Sequence, residues 1–115
     1  MEKTLKKYPV PLRRIQYYRM LARVQILEKN YENALNSLRE GYQLSIKYNI
    51  PYRACDCCRK FTDIVLKYFV EDKSLLNEAL NYTDFAIKYY KTLGKEDHVY
   101  FKESLDQRKI LIELI

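Results

Sequence analysis

Two glycines and three prolines in 115 residues leave this chain few places to turn sharply. Folds built from many tight turns depend on both residues. β-Hairpins need positive-φ positions, and phosphate-cradling loops need the close backbone approach that glycine allows. The composition nearly excludes a β-sandwich or a Gly-rich nucleotide fold. Between the few breakers, apolar residues return every three to four positions, and no stretch alternates convincingly with period two. An all-α fold is expected. Apolar residues make up 48% and charged residues 31%, which suits a globular domain and is too apolar for a disordered chain. At this length a single domain, residues 1–115, is expected.

The breakers divide the chain into five predicted helices. The first spans about residues 12–28, with Ile15, Tyr18, Leu21, Ala22 and Gln25 inward. Lys29-Asn30 turns it into the second, about 31–48, where Ala34, Leu38, Gly41 and Ser45 share a face beside Leu35, Tyr42 and Ile46. The small residues on that face let a neighbouring helix come close. Asn49-Ile50-Pro51 ends it, because proline disfavours helical geometry in the residue before it. The third spans about 52–70, with Cys58, Phe61, Thr62, Val65 and Phe69 inward. Glu71-Asp72-Lys73 is the next break, and Ser74 is the expected N-cap of a fourth helix over about 75–93. Its inward face is Leu76, Ala79, Leu80, Thr83, Ala86, Ile87 and Tyr90. Gly94 stops it, and Asp97 is expected to cap a fifth helix over about 98–114. Such short connections imply antiparallel neighbours. The 12 tyrosines suit the edges of helix–helix contacts, with a buried ring and a wet hydroxyl, more than a ligand groove.

Charge is uneven. Residues 1–23 carry seven basic residues against Glu2 alone, whereas residues 71–115 carry seven basic against nine acidic. This is either a solvated face or the footprint of an acidic partner, nucleic acid included. Cys55, Cys57 and Cys58 are too few and too close for a disulfide framework. With His98 the only histidine, no second ligand pair completes a tetrahedral zinc site. The cysteines are expected to be small buried residues in a reducing compartment. No apolar run approaches the ~18–20 residues of a membrane span, and no apolar h-region precedes Pro9 and Pro11. A cytoplasmic protein is expected, with no metal, no other cofactor and no membrane partner.

The chain repeats itself. Lys7-Tyr8-Pro9-Val10-Pro11-Leu12-Arg13 matches Lys47-Tyr48-Asn49-Ile50-Pro51-Tyr52-Arg53 at an offset of 40, and Tyr18-Arg19, Leu21-Ala22, Val24 and Ile26 fall on Cys58-Arg59, Phe61-Thr62, Ile64 and Leu66. Asn33-Ala34-Leu35-Asn36 falls on Glu78-Ala79-Leu80-Asn81, and Gly41 on Ala86, at an offset of 45. A helical hairpin used about twice is the mark of an α-solenoid. On these residues the chain resembles the tetratricopeptide repeat (TPR) family. Tyr18, Leu21 and Ala22 fit the first helix of its motif, and Ala34, Leu38 and Gly41 fit the second. Ala79, Thr83 and Ala86 repeat the pattern. Gln25, Cys58 and Ile46 depart from it, and the units are longer than the family's. The resemblance implies antiparallel hairpins stacked as a short TPR-like α-solenoid, with units 12–50 and 52–93 and a closing helix over 98–114. Residues 1–8 align with the tail of a second helix, so the chain looks like part of a longer array. In style the repeats are also similar to the peptide-sensing domains of Gram-positive regulators of the Rap and PlcR type. That likeness implies the sensor part of a peptide-responsive transcriptional regulator.

No catalytic motif is present, and an enzyme is not expected. A Cys–His nucleophile would have to draw on His98, whose place at a helix start explains it more simply. What remains is a surface. The resemblance places the first helix of each pair along a concave groove. Gln16, Arg19, Met20, Arg23 and Ile26 would line it, with Asp56, Arg59, Lys60, Asp63 and Leu66 as their counterparts. Arg19, Arg23 and Arg59 would form a cationic patch able to hold a carboxylate by forked hydrogen bonds. The plainer alternative is an ion pair between Arg23 and Asp63 that closes the groove. The expected partner is a peptide or protein segment. The rival readings are a nucleic-acid-binding domain using the basic N-terminal third, and a self-association unit. The last would use Ile110, Leu111, Ile112, Leu114 and Ile115, which offer more apolar positions than one helix face can cover.

Overall fold

A computed structural model of the chain describes residues 10–115. They form five α-helices: α1 (Val10–Leu27), α2 (Tyr31–Lys47), α3 (Pro51–Tyr68), α4 (Lys73–Thr92) and α5 (Val99–Leu114). No strand occurs among the described residues. The fold is all-α, as hydrophobic period and breaker positions require. The expected tail of an earlier helix, residues 1–8, lies outside the described residues.

Three helices end in the same way. After α1, Lys29 takes a left-handed φ of 62°; after α2, Asn49 takes 57°; after α4, Gly94 takes 69°. In each case the next residue's N–H reaches back five positions: Asn30 to Gln25 O at 2.8 Å, Ile50 to Ser45 O at 2.8 Å and Lys95 to Tyr90 O at 2.9 Å. The left-handed residue itself donates three positions back, to Ile26, Ile46 and Lys91. This is the Schellman pattern, which satisfies carbonyls that the helix end leaves open. Pro51 then opens α3 at its first position, where a missing N–H costs nothing.

The starts of α4 and α5 differ from expectation. Asp72, not Ser74, caps α4: its Oδ1 accepts from Leu75 N at 3.1 Å, so the helix begins at Lys73. His98, not Asp97, caps α5: its Nδ1 accepts from Tyr100 N at 3.1 Å. Each cap is the residue whose acceptor reaches a first-turn N–H, and Ser74 and Asp97 are out of that register.

The chain forms two compact units, Met1–Cys57 and Cys58–Ile115. In the first, α1 and α2 pack as an antiparallel hairpin. Its core is Ile15 and Ala22 from α1, Ala34, Leu35, Leu38 and Leu44 from α2, and Ala54, Cys55 and Cys57 from the start of α3. Gly41 marks a close approach. A Cβ there would lie 3.0 Å from Cys57 Sγ and 3.7 Å from Tyr18 Cβ, so all three helices converge on it. Gln25 Oε1 accepts from the Ser37 hydroxyl at 2.7 Å, tying α1 to α2.

In the second unit Cys58, Phe61, Ile64 and Val65 of α3 join Leu76, Ala79, Ala86, Ile87 and Tyr90 of α4, and Phe101 and Leu111 of α5. The buried hydroxyls of Thr62 and Thr83 lie 3.2 Å apart, and Thr83 also donates to Ala79 O at 2.8 Å. α4 and α5 pack against each other. The three cysteines form no disulfide and are all buried.

Candidate binding surface

The residues expected to line a groove differ in what they do. Arg19 is occupied. Its guanidinium donates to Gln16 Oε1 at 3.1 Å and pairs with Asp56 Oδ2 at 3.1 Å, fastening α1 to the first turns of α3. Ile26 is half-buried, while Gln16, Met20 and Arg23 are exposed.

In the second unit Arg59 is buried. Its Cζ sits 3.6 Å from the centroid of the Tyr100 ring, a close cation–π stack, and its Nη1 lies 3.9 Å from Glu103. Its backbone carbonyl accepts from Gln107 Nε2 at 3.2 Å. All three partners stand on α5, so Arg59 joins α3 to α5. Lys60 and Asp63 are exposed, and Asp63 pairs with Lys67 one turn on at 3.3 Å.

What the first unit offers to solution is the outer side of α1. Tyr17, Met20, Val24 and Leu27 are 59%, 60%, 49% and 78% exposed. Their spacing of three, four and three residues aligns them in one stripe about three turns long. It lies opposite Ile15 and Ala22, which are buried. Arg14 and Arg23, both exposed, flank it on its two sides. α1 contains no acidic residue. Of this stripe only Met20 stood among the groove residues read from the sequence. The signal for the rest was present: α1 carries apolar residues almost all the way round, more than one buried face accounts for.

Of the five C-terminal residues read as surplus, Leu111 is fully buried, and Ile110, Ile112, Leu114 and Ile115 are exposed. His98 is occupied as a helix cap and stacks on Tyr90, with ring centroids 6.0 Å apart. Among the described residues no group of three or more His, Cys, Asp or Glu side chains could hold a metal ion, and no helix is long and apolar enough to cross a membrane. No protein-family model, curated protein or solved structure matches the chain.

Proposed function

We propose that the chain is a non-enzymatic interaction module of TPR-like helical hairpins that binds a peptide or protein segment. One observation above all supports this. α1 fills its own unit's core with one face and carries on the other a continuous, solvent-exposed apolar stripe edged with arginine. Exposed apolar residues scattered singly are ordinary; four in line with charged edges mark an interaction surface. Within the expected groove set, Met20 and Arg23 are the exposed residues of the first unit that remain open to a ligand, while Gln16, also exposed, accepts from Arg19. Arg19 and Arg59 act as fasteners between helices.

Selection of binders from a displayed peptide library tests the reading, followed by affinity measurement on the Arg23→Glu protein. Loss of at least about tenfold is expected, with the far-ultraviolet circular dichroism unchanged. Undiminished affinity in the folded variant overturns the assignment. Double-stranded DNA and RNA form the second arm. Tight binding that falls steeply with salt would favour the nucleic-acid reading instead.

A further inference from the structure

The exposed stripe of α1 has a counterpart inside the same chain. At the offset of 40, Tyr17 corresponds to Cys57 and Val24 to Ile64, both of which are buried. Met20 and Leu27 correspond to Lys60 and Lys67, both exposed. Cys57 is covered by the helix before it, since a Cβ added at Gly41 of α2 would lie only 3.0 Å from its sulfur. At Tyr17 the matching line on α1 therefore holds the place of a residue that a helix covers, and the line replaces two exposed lysines with Met20 and Leu27.

Charge selects the occupant. Arg14 and Arg23 edge the stripe, and α1 has no acidic residue to balance them. A second copy laid on this face would set arginine against arginine, which disfavours the pairing. Residues 1–9 carry Lys3, Lys6 and Lys7 against Glu2 and complement it no better. From this we infer that the outer face of α1 docks an acidic amphipathic helix of a partner protein. Apolar anchors on that helix, at i, i+3 or i+4, and i+7 spacing, lie along Tyr17, Met20, Val24 and Leu27, and its carboxylates meet Arg14 and Arg23. The inference rests on the interaction-module reading and names the partner's chemistry.

The probe is a synthetic peptide about 18 residues long with leucines at that spacing and glutamate elsewhere. Two relatives accompany it: one with lysine in place of every glutamate, and one acidic peptide broken by a central proline. Fluorescence anisotropy with the intact chain should show saturable binding of the acidic helix, at least about tenfold tighter than either relative. Met20→Glu with Leu27→Glu should abolish it; both positions are exposed, so the fold is retained, which circular dichroism checks. Arg14→Glu with Arg23→Glu should turn the preference toward the lysine peptide. Equal binding of the lysine peptide, or binding indifferent to Met20→Glu and Leu27→Glu, overturns the inference. Binding of the proline-broken peptide alone, lost on Arg23→Glu, leaves the module reading standing and removes the helical partner. Anionic phosphatidylserine vesicles bound through the same residues, with no peptide bound, would overturn both.

Discussion

Lys29 and Asn49 hold the same left-handed backbone at unequal cost. A side chain with a Cβ loses about 1–2 kcal/mol there, whereas asparagine is partly excused by its local hydrogen bonding. Lys29→Gly should therefore stabilise the chain by about 0.5–1 kcal/mol, after the extra entropy of an unfolded glycine is subtracted. Asn49→Gly should gain less. Urea denaturation midpoints at constant slope check the order, and a loss on Lys29→Gly would contradict the φ of 62°. Gly41 is the reverse case. Alanine gains about 1 kcal/mol of helix propensity but must displace a buried sulfur 3.0 Å away, at about 1–3 kcal/mol. A net loss of about 1 kcal/mol is expected. On a Cys57→Ala background the sulfur is gone, and the same substitution should become stabilising. No change of sign would mean that Gly41 is not held small by Cys57. Gly94 was legible as a stop and Gly41 as a close approach, because glycine is scarce here. Lys29 was legible only as a place where the pattern lapses, since nothing in a lysine announces a left-handed turn.

Five helices were legible, with ends within two residues of those observed, because each has its own apolar stripe and each gap holds a breaker or a charge cluster. Which residue caps was not. Ser74 and Asp72 are both good caps in isolation, and the choice depends on whose oxygen meets the N–H three residues on. Asp72→Ala should cost about 1 kcal/mol, and Ser74→Ala should stay within about 0.5 kcal/mol. His98→Ala should likewise exceed Asp97→Ala. Thermal melts of the four variants decide this, and an equal cost for Ser74 and Asp72 would undo the assignment of the α4 start. The second stripe on α1 belongs at this scale too. Tyr17, Met20, Val24 and Leu27 stand at helical spacing in the sequence, but a stripe inward and a stripe outward look alike until one of them is seen to be filled.

At the scale of the whole chain, the all-α architecture followed from period and breakers, whereas the fastening of Arg59 did not. Tyr100, Glu103 and Gln107 lie more than forty residues along, and no local pattern joins them to it. The C-terminal surplus changes character in the same way. Leu111 turns fully inward, so a chain cut after Lys109 would lose a core residue and report on folding rather than association. The exposed remainder is divided. Ile110 and Leu114 lie on one flank of α5 and Ile112 with Leu105 on the other, while exposed Lys102, Asp106, Lys109 and Glu113 form a charged line between them. A two-fold contact can cover one flank at a time. Ile110 is 46% and Leu114 37% exposed, so each has less than half of its ~1.5–3 kcal/mol of burial left to gain. Two such residues from each copy supply about 4 kcal/mol, against an association cost of ~4–15 kcal/mol. A monomer at micromolar concentration is expected, and Ile110→Lys should leave the sedimentation coefficient unchanged. A dimer dispersed by Ile110→Lys would show that α5 is the self-association surface after all. A dimer indifferent to Ile110→Lys but dispersed by Met20→Glu with Leu27→Glu would instead place a second copy on α1, where the arginines should forbid it.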